Sequence, residues 1–192
     1  MWIFSLATKY FVDKRRIDIY QHKYDYQGKA KAIGDKAVNL IEMMAEARRY
    51  EVKKASKQED CKDHFDYRFV KDDKIIKVEV KAMKRISRSE DTGQDTWIWV
   101  EFKNVVGDLG WLYGKADYVA FEMRDSFLFV DRKDLVKVSE KVVDMTEIVK
   151  SPFDAKRKCY HRRNRPDELV AMIHITDITN EPGLKYKIWK KP

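Results

Sequence analysis

A chain of 192 residues that is 44% hydrophobic and 12% aromatic can bury one sizeable core without disulfide or metal staples. Its formal net charge of +8 points toward a polyanionic partner. No apolar run approaches the ~20 residues of a membrane span, the aromatic stretch at 2–7 is too short for a signal sequence, and two cysteines, Cys61 and Cys159, are too few for a disulfide framework; the expectation is one soluble cytoplasmic domain with no membrane partner.

The chain has no internal repeat and no linker rich in Pro, Gly or Ser. It divides into an N-terminal extension over 1–33, a core over 34–130 and a basic elaboration over 131–192. Gly34 reads as punctuation. After it, Ala37, Leu40, Ile41, Met44 and Ala47 recur at helical spacing, while Asp35, Asn39, Glu42, Glu46 and Arg49 keep another face polar. Residues 50–56 alternate as a strand, and 57–62 read as a polar loop.

Over 64–70, His64, Asp66 and Arg68 share one strand face and Phe65, Tyr67 and Phe69 the other. Over 74–81, Ile76, Val78 and Val80 are the apolar face and Lys77, Glu79 and Lys81 the polar one. With Asp72 and Asp73 as a two-residue loop, cross-strand partners have residue numbers that sum to 145. Phe69 then meets Ile76, Tyr67 meets Val78 and Phe65 meets Val80, each an aromatic against a β-branched residue. The same register sets Asp66 across from Glu79 and His64 across from Lys81. Two carboxylates so placed repel unless something compensates them, and a divalent cation does so in an oxygen-rich site.

Residues 82–95 read as a basic loop holding Lys84, Arg85 and Arg88. Residues 96–103 are a strand with Trp97 and Trp99 on one face, read as packing residues before base-stacking ones. A loop over 105–114 precedes a hairpin of 116–122 and 126–130, and 132–149 mixes polar and apolar residues. From Ser151 onward, ten Lys and Arg stand against five Asp and Glu. The densest part, 156–165, holds Lys156, Arg157, Lys158, Arg162, Arg163 and Arg165 with no acid, which suits either a phosphate backbone or a solvated loop. Residues 169–175 read as a strand added to the far side of the same sheet. The fold class is α/β, with a central mixed β-sheet flanked by helices.

Hydrolysis of a phosphodiester needs an activated water, charge compensation for the transition state and help for the departing alkoxide. Mg²⁺ supplies much of this and takes one or two carboxylates, keeping water and substrate phosphate in its other positions. Asp66 and Glu79 are its candidate ligands, with the Val80 backbone carbonyl in reach and Lys81 beside the attacking water. Lys84, Arg85 and Arg88, with Lys156, Arg157, Arg162, Arg163 and Arg165, are the candidate nucleic-acid contacts.

Asp66 followed after twelve residues by Glu79-Val80-Lys81, behind an acidic helix and a strand, resembles the PD-(D/E)xK nuclease superfamily of restriction enzymes, Holliday-junction resolvases and phage or repair nucleases. The resemblance runs from Gly34 to Lys81. It implies a restriction-endonuclease-like core, Mg²⁺-dependent cleavage of DNA with Mn²⁺ able to substitute, and a site of Asp66, Glu79 and Lys81. In that superfamily the helix often opens on Gly-Glu with its acid at the metal; Gly34-Asp35 stands in the corresponding place, which makes Asp35 a third catalytic acid, preferred to Glu42. Phe65 stands where the superfamily often has proline, and the helix expected after the motif is not evident over 82–95. The setting implied is a bacterial or phage-infected cell, with a homodimer possible where two strands are cut and RNA open as a substrate. The alternative is a nuclease-like module kept only to bind DNA or a protein.

Overall fold

The computed structural model describes residues 29–87, 90, 92–162 and 165–192. The expected extension therefore lies outside the described residues as far as residue 28, and so do Arg88 and Arg163. Helix α1 spans Lys29–Glu46 and buries Ala37, Ile41, Met44 and Ala45. It runs straight through Gly34, contrary to the punctuation read from the sequence. Glycine inside a helix costs only about 1 kcal/mol relative to alanine, and the residues before it, Lys29 to Ala32, are strong helix formers.

Strand β1 (Glu51–Lys54) leads into a second helix, α2 (Lys57–Asp63), where the sequence read as a loop. α2 has no buried residue, so no apolar stripe announces it. A capping box does. The Glu59 N–H donates to Ser56 Oγ at 3.3 Å, and the Ser56 N–H donates to Glu59 Oε2 at 3.0 Å, satisfying two donors that a helix N-terminus otherwise leaves open. α2 ends at His64 in the left-handed region, φ 53°.

Strands β2 (Tyr67–Lys71) and β3 (Lys74–Lys81) form the expected hairpin, with Lys71 opposite Lys74, Phe69 opposite Ile76 and Tyr67 opposite Val78. Asp72 and Asp73 both take positive φ, 49° and 60°, the requirement of a type I′ turn, whose twist matches that of the strands it joins. β4 (Trp97–Lys103), β5 (Tyr118–Glu122), β6 (Ser126–Asp131), helix α3 (Arg132–Val142), β7 (Asp144–Val149), β8 (Lys158–Tyr160), β9 (Leu169–His174), helix α4 (Ile175–Thr179) and β10 (Tyr186–Lys190) complete the chain.

The fold is α/β, with a mixed sheet flanked by helices. Six strands run in the order β1-β2-β3-β5-β6-β10, antiparallel except for the parallel pair β3 and β5. β4 and β9 do not extend this sheet. They pair with each other in a second sheet, β4-β9-β8-β7, because Ile98, Val100 and Phe102 with Ala171 and Ile173 make one apolar face that needs cover. Strands β5 and β6 of the first sheet provide it. Val119, Phe121, Leu128 and Val130 face the second sheet, while the alternating Ala120, Phe127 and Phe129 face α1. The crossover from β3 to parallel β5 runs through β4 and a 3-10 turn at Trp111–Tyr113, in place of the helix that the family resemblance implies. None of the described helices is long and apolar enough to cross a membrane.

Candidate catalytic site

Val78 and Val80 face α1, so strand alternation turns Glu79 and Lys81 toward the second sheet. Glu79 is only 6% exposed. One of its carboxylate oxygens pairs with Lys81 Nζ, and the other, Oε2, is buried with no hydrogen-bond partner. The Lys81 ammonium also lies 4.7 Å from the centre of the Trp111 ring, within cation–π reach. Burial acts to lower the pKa of Lys81, but the charge and hydrogen bond of Glu79, then Glu101 of β4 and Asp66, outweigh it and raise the value. Lys81 is therefore a fixed positive charge.

Asp66 departs from the ladder drawn from sequence. Pairing of β2 with β3 stops at Tyr67 and Val78, and Phe65 does not pair with Val80. Instead, Asp66 Oδ2 accepts the Val80 N–H at 2.6 Å, the donor that the next rung would have used. The left-handed turn at His64 and the complete burial of Phe65 hold the chain there; burying a phenylalanine is worth ~1.5–3 kcal/mol. The N–H and C=O of one strand residue point the same way, so the Val80 carbonyl also faces the Asp66 side. Burial and then the Glu79 charge push Asp66 up to about 7, against the opposing pull of the Val80 N–H and Lys81.

A third acid enters from α2, where sequence reading saw a loop. Although Asp60 is solvent-exposed, the protein packed around it and then the Glu79 charge raise its pKa, and Asp60 in turn raises that of Asp66. α2 is pinned on both sides of this residue: Glu59 pairs with Arg68 of β2, and Asp63 pairs with Lys115 at 2.9 Å while its carbonyl accepts the Lys115 N–H. The capping box Ser56-x-x-Glu59 was the sequence signal for this element. Asp35 is exposed on α1 and is not among the charges that dominate at Asp66 or Lys81. Glu42 sits on the α1 side of the sheet, accepting from the Tyr67 hydroxyl at 2.6 Å and lying 3.6 Å from Lys54.

The basic segments are partly spent on internal pairs. Arg157 is held by two hydrogen bonds to Asp177, at 3.0 and 2.6 Å. Lys158 pairs with Glu147, and Arg162 and Arg165 share the fully buried Glu168. Lys156 is exposed, and Arg85 donates to the Glu90 carbonyl. Lys84 stays exposed at the surface, yet the packing around it and then the Arg162 and Lys81 charges lower it to about 8.

Asp66, Glu79 and the Val80 carbonyl would offer a cation oxygen donors only, with the partnerless Glu79 Oε2 among them. Among the described residues no group of three or more His, Cys, Asp and Glu is arranged to hold a metal ion, so a cation here would rest on two carboxylates plus water, as Mg²⁺ commonly does. Comparison of the chain with protein-family models, with curated proteins and with solved structures gives no match in any of the three.

Proposed function

We propose that the chain is a Mg²⁺-dependent nuclease of the PD-(D/E)xK type that hydrolyses phosphodiester bonds in DNA. The observation that carries the proposal is the buried, unpartnered oxygen of Glu79 beside Asp66. A buried charged acceptor left unmade costs about 1–3 kcal/mol or more, and a cation shared with Asp66 would complete this one. Asp66 and Glu79 would hold the cation, with the Val80 carbonyl as a further oxygen. When bound, Mg²⁺ polarises the phosphate and lowers the pKa of coordinated water.

Lys81 acts as a fixed charge and not as a base, because Glu79 keeps it protonated. Its ammonium orients the attacking water and offsets negative charge gathering on the phosphate as the new P–O bond forms and the bond to the departing sugar oxygen breaks. Glu79 and the Trp111 ring hold that ammonium in place before substrate arrives, so little reorganisation is left for the reacting complex.

Plasmid, linear duplex and single-stranded DNA incubated with Mg²⁺, Mn²⁺ or EDTA test the reading: cleavage with either cation and none in EDTA is expected, and inactivity on all three substrates with both cations would sink it. Asp60 and Asp35 make a sharper contrast. Asp60→Asn is expected to weaken Mn²⁺ binding, followed by titration calorimetry, about three- to ten-fold through loss of a nearby negative charge, whereas Asp35→Asn leaves it unchanged. The reverse order would return the helix acid to α1.

A further inference from the structure

We infer that the strand this protein holds is unpaired nucleic acid, laid along Trp97 and Trp99 on the outer face of the second sheet with Lys156, Arg157 and Arg162 on its phosphates. For what happens at Lys81 this rests on the nuclease reading; for binding it does not. Trp97 and Trp99 stand two residues apart on one face of β4, turned away from the inter-sheet core that takes Ile98 and Val100. At ~3.4 Å per residue the rings are about 7 Å apart, roughly twice the ~3.4 Å rise between stacked bases of a duplex. Consecutive bases of a duplex cannot sit on both rings, whereas splayed bases of an extended strand can.

Neighbouring groups fix both rings. Trp97 meets His174 edge-on at 4.9 Å and 80°, and Trp99 Nε1 donates to the Arg85 carbonyl at 3.2 Å. Cations stand over their faces: Lys156 and Arg157 at 5.3 and 5.8 Å from Trp97, and Arg162 at 5.8 Å from Trp99. Those distances lie within the ~6 Å reach of a cation–π contact, so a base that stacks on either ring takes the place of a cation, which then turns to the phosphate. Asp177 offsets the charge of Arg157, but the strip stays positive, since Glu168 serves two arginines at once and Lys84, Arg85 and Lys156 have no described carboxylate in ion-pair reach. Aromatic platforms flanked by cations are how proteins hold single strands with little regard to sequence.

The strip joins the catalytic site. Lys81, Lys84, Trp97, Trp99 and Arg162 line one cavity of about 90 Å³ at the carboxyl end of β3. A benzene-sized ring needs roughly 150 Å³, so the cavity admits a phosphate-sized group and not a base. Bases stay on the strip while the backbone reaches Lys81.

The test is binding of the full chain in EDTA to a fluorescein-labelled oligodeoxythymidylate and to a duplex of equal length, followed by anisotropy and tryptophan quenching. The single strand is expected to bind at least about ten-fold more tightly than the duplex, with tryptophan quenching. Trp99→Ala should lose about ten-fold and Trp99→Phe, which keeps a stacking ring, much less. Lys156→Glu, an exposed change that spares the core, should lose a similar factor and flatten the salt dependence by about one unit. Equal or tighter duplex binding, or wild-type single-strand affinity in Lys156→Glu, would overturn the inference. Because EDTA silences any cleavage, a protein that holds single strands but never cuts would fail the nuclease reading alone, and one that cuts without single-strand preference would fail this one alone.

Discussion

The doubly substituted protein Glu79→Met/Lys81→Met is expected to be more stable than the parent and unable to cleave DNA. Glu79 and Lys81 form a buried ion pair whose other carboxylate oxygen has no partner. Taking such a pair out of water costs more than the attraction returns unless every polar atom is satisfied, and apolar residues of similar volume in place of a buried pair are often neutral or stabilising by about 1–4 kcal/mol. Methionine matches both side chains in length, and removing Glu79 also removes the charge that most opposes ionisation of Asp66. The single change Lys81→Met should behave oppositely. It leaves the Glu79 carboxylate buried with neither oxygen paired, for a loss of about 3–5 kcal/mol. Cleavage should fall at least about 10²–10³-fold in both proteins, the scale of losing one preorganised electrostatic group. Urea midpoints and initial rates on the same preparations decide the matter. A double variant less stable than the parent would mean that the pair holds the fold together, and one that still cuts would remove both residues from the chemistry.

What could be read from sequence was what depends on neighbours in the chain. The hairpin register follows from alternation and a two-residue loop, and it holds from Lys71 opposite Lys74 to Tyr67 opposite Val78. It fails one rung later, where a left-handed His64 turns the chain and a side chain replaces the backbone acceptor. The same limit explains the second sheet. β4 and β9 each alternate as plainly as β2 and β3, but nothing local states that residues some seventy positions apart pair with each other and not with β5 or β6. α2 escaped because a short helix without an apolar stripe differs from a polar loop only in its capping residues. The basic run misled in another way: its partners Asp177, Glu147 and Glu168 lie outside it, so a count of charges along 156–165 overstates the free charge. Glu79 and Lys81 were found because strand alternation alone puts them on one face. Asp35 rests on analogy with a helix start, and among the described residues the helix already runs from Lys29, six residues before it.

Without a divalent cation, the stability of this protein is expected to fall as pH rises from 5 to 7.5, and to do so because of Asp66. Its carboxyl has an ordinary value of 3.8 and is pushed up to about 7 in the fold, so between those limits the folded chain keeps a proton that the unfolded chain has released. Stability then declines with increasing pH, in full measure only below about 4 and spent above about 7. Over the range from 5 to 7.5 the loss is on the order of 2–3 kcal/mol, at ~1.4 kcal/mol per pH unit. Glu59, held down to about 2 by Ser56 and Arg68, contributes an opposite slope, but it acts below pH 4.5 and so leaves this window clear. Saturating Mg²⁺ should flatten the trend, because a cation binds the ionised carboxylates; at a hundred times its dissociation constant it adds about 2.7 kcal/mol, most of it at the alkaline end where Asp66 is charged. Urea denaturation at pH 5 and 7.5, in EDTA and in Mg²⁺, gives four midpoints, with the two media close together at pH 5 and far apart at pH 7.5. In Asp66→Asn the EDTA slope should shrink to the part that the likewise raised Asp60 supplies, and if it keeps its full size, the proton belongs to another group and Asp66 is not the acid that a cation would displace.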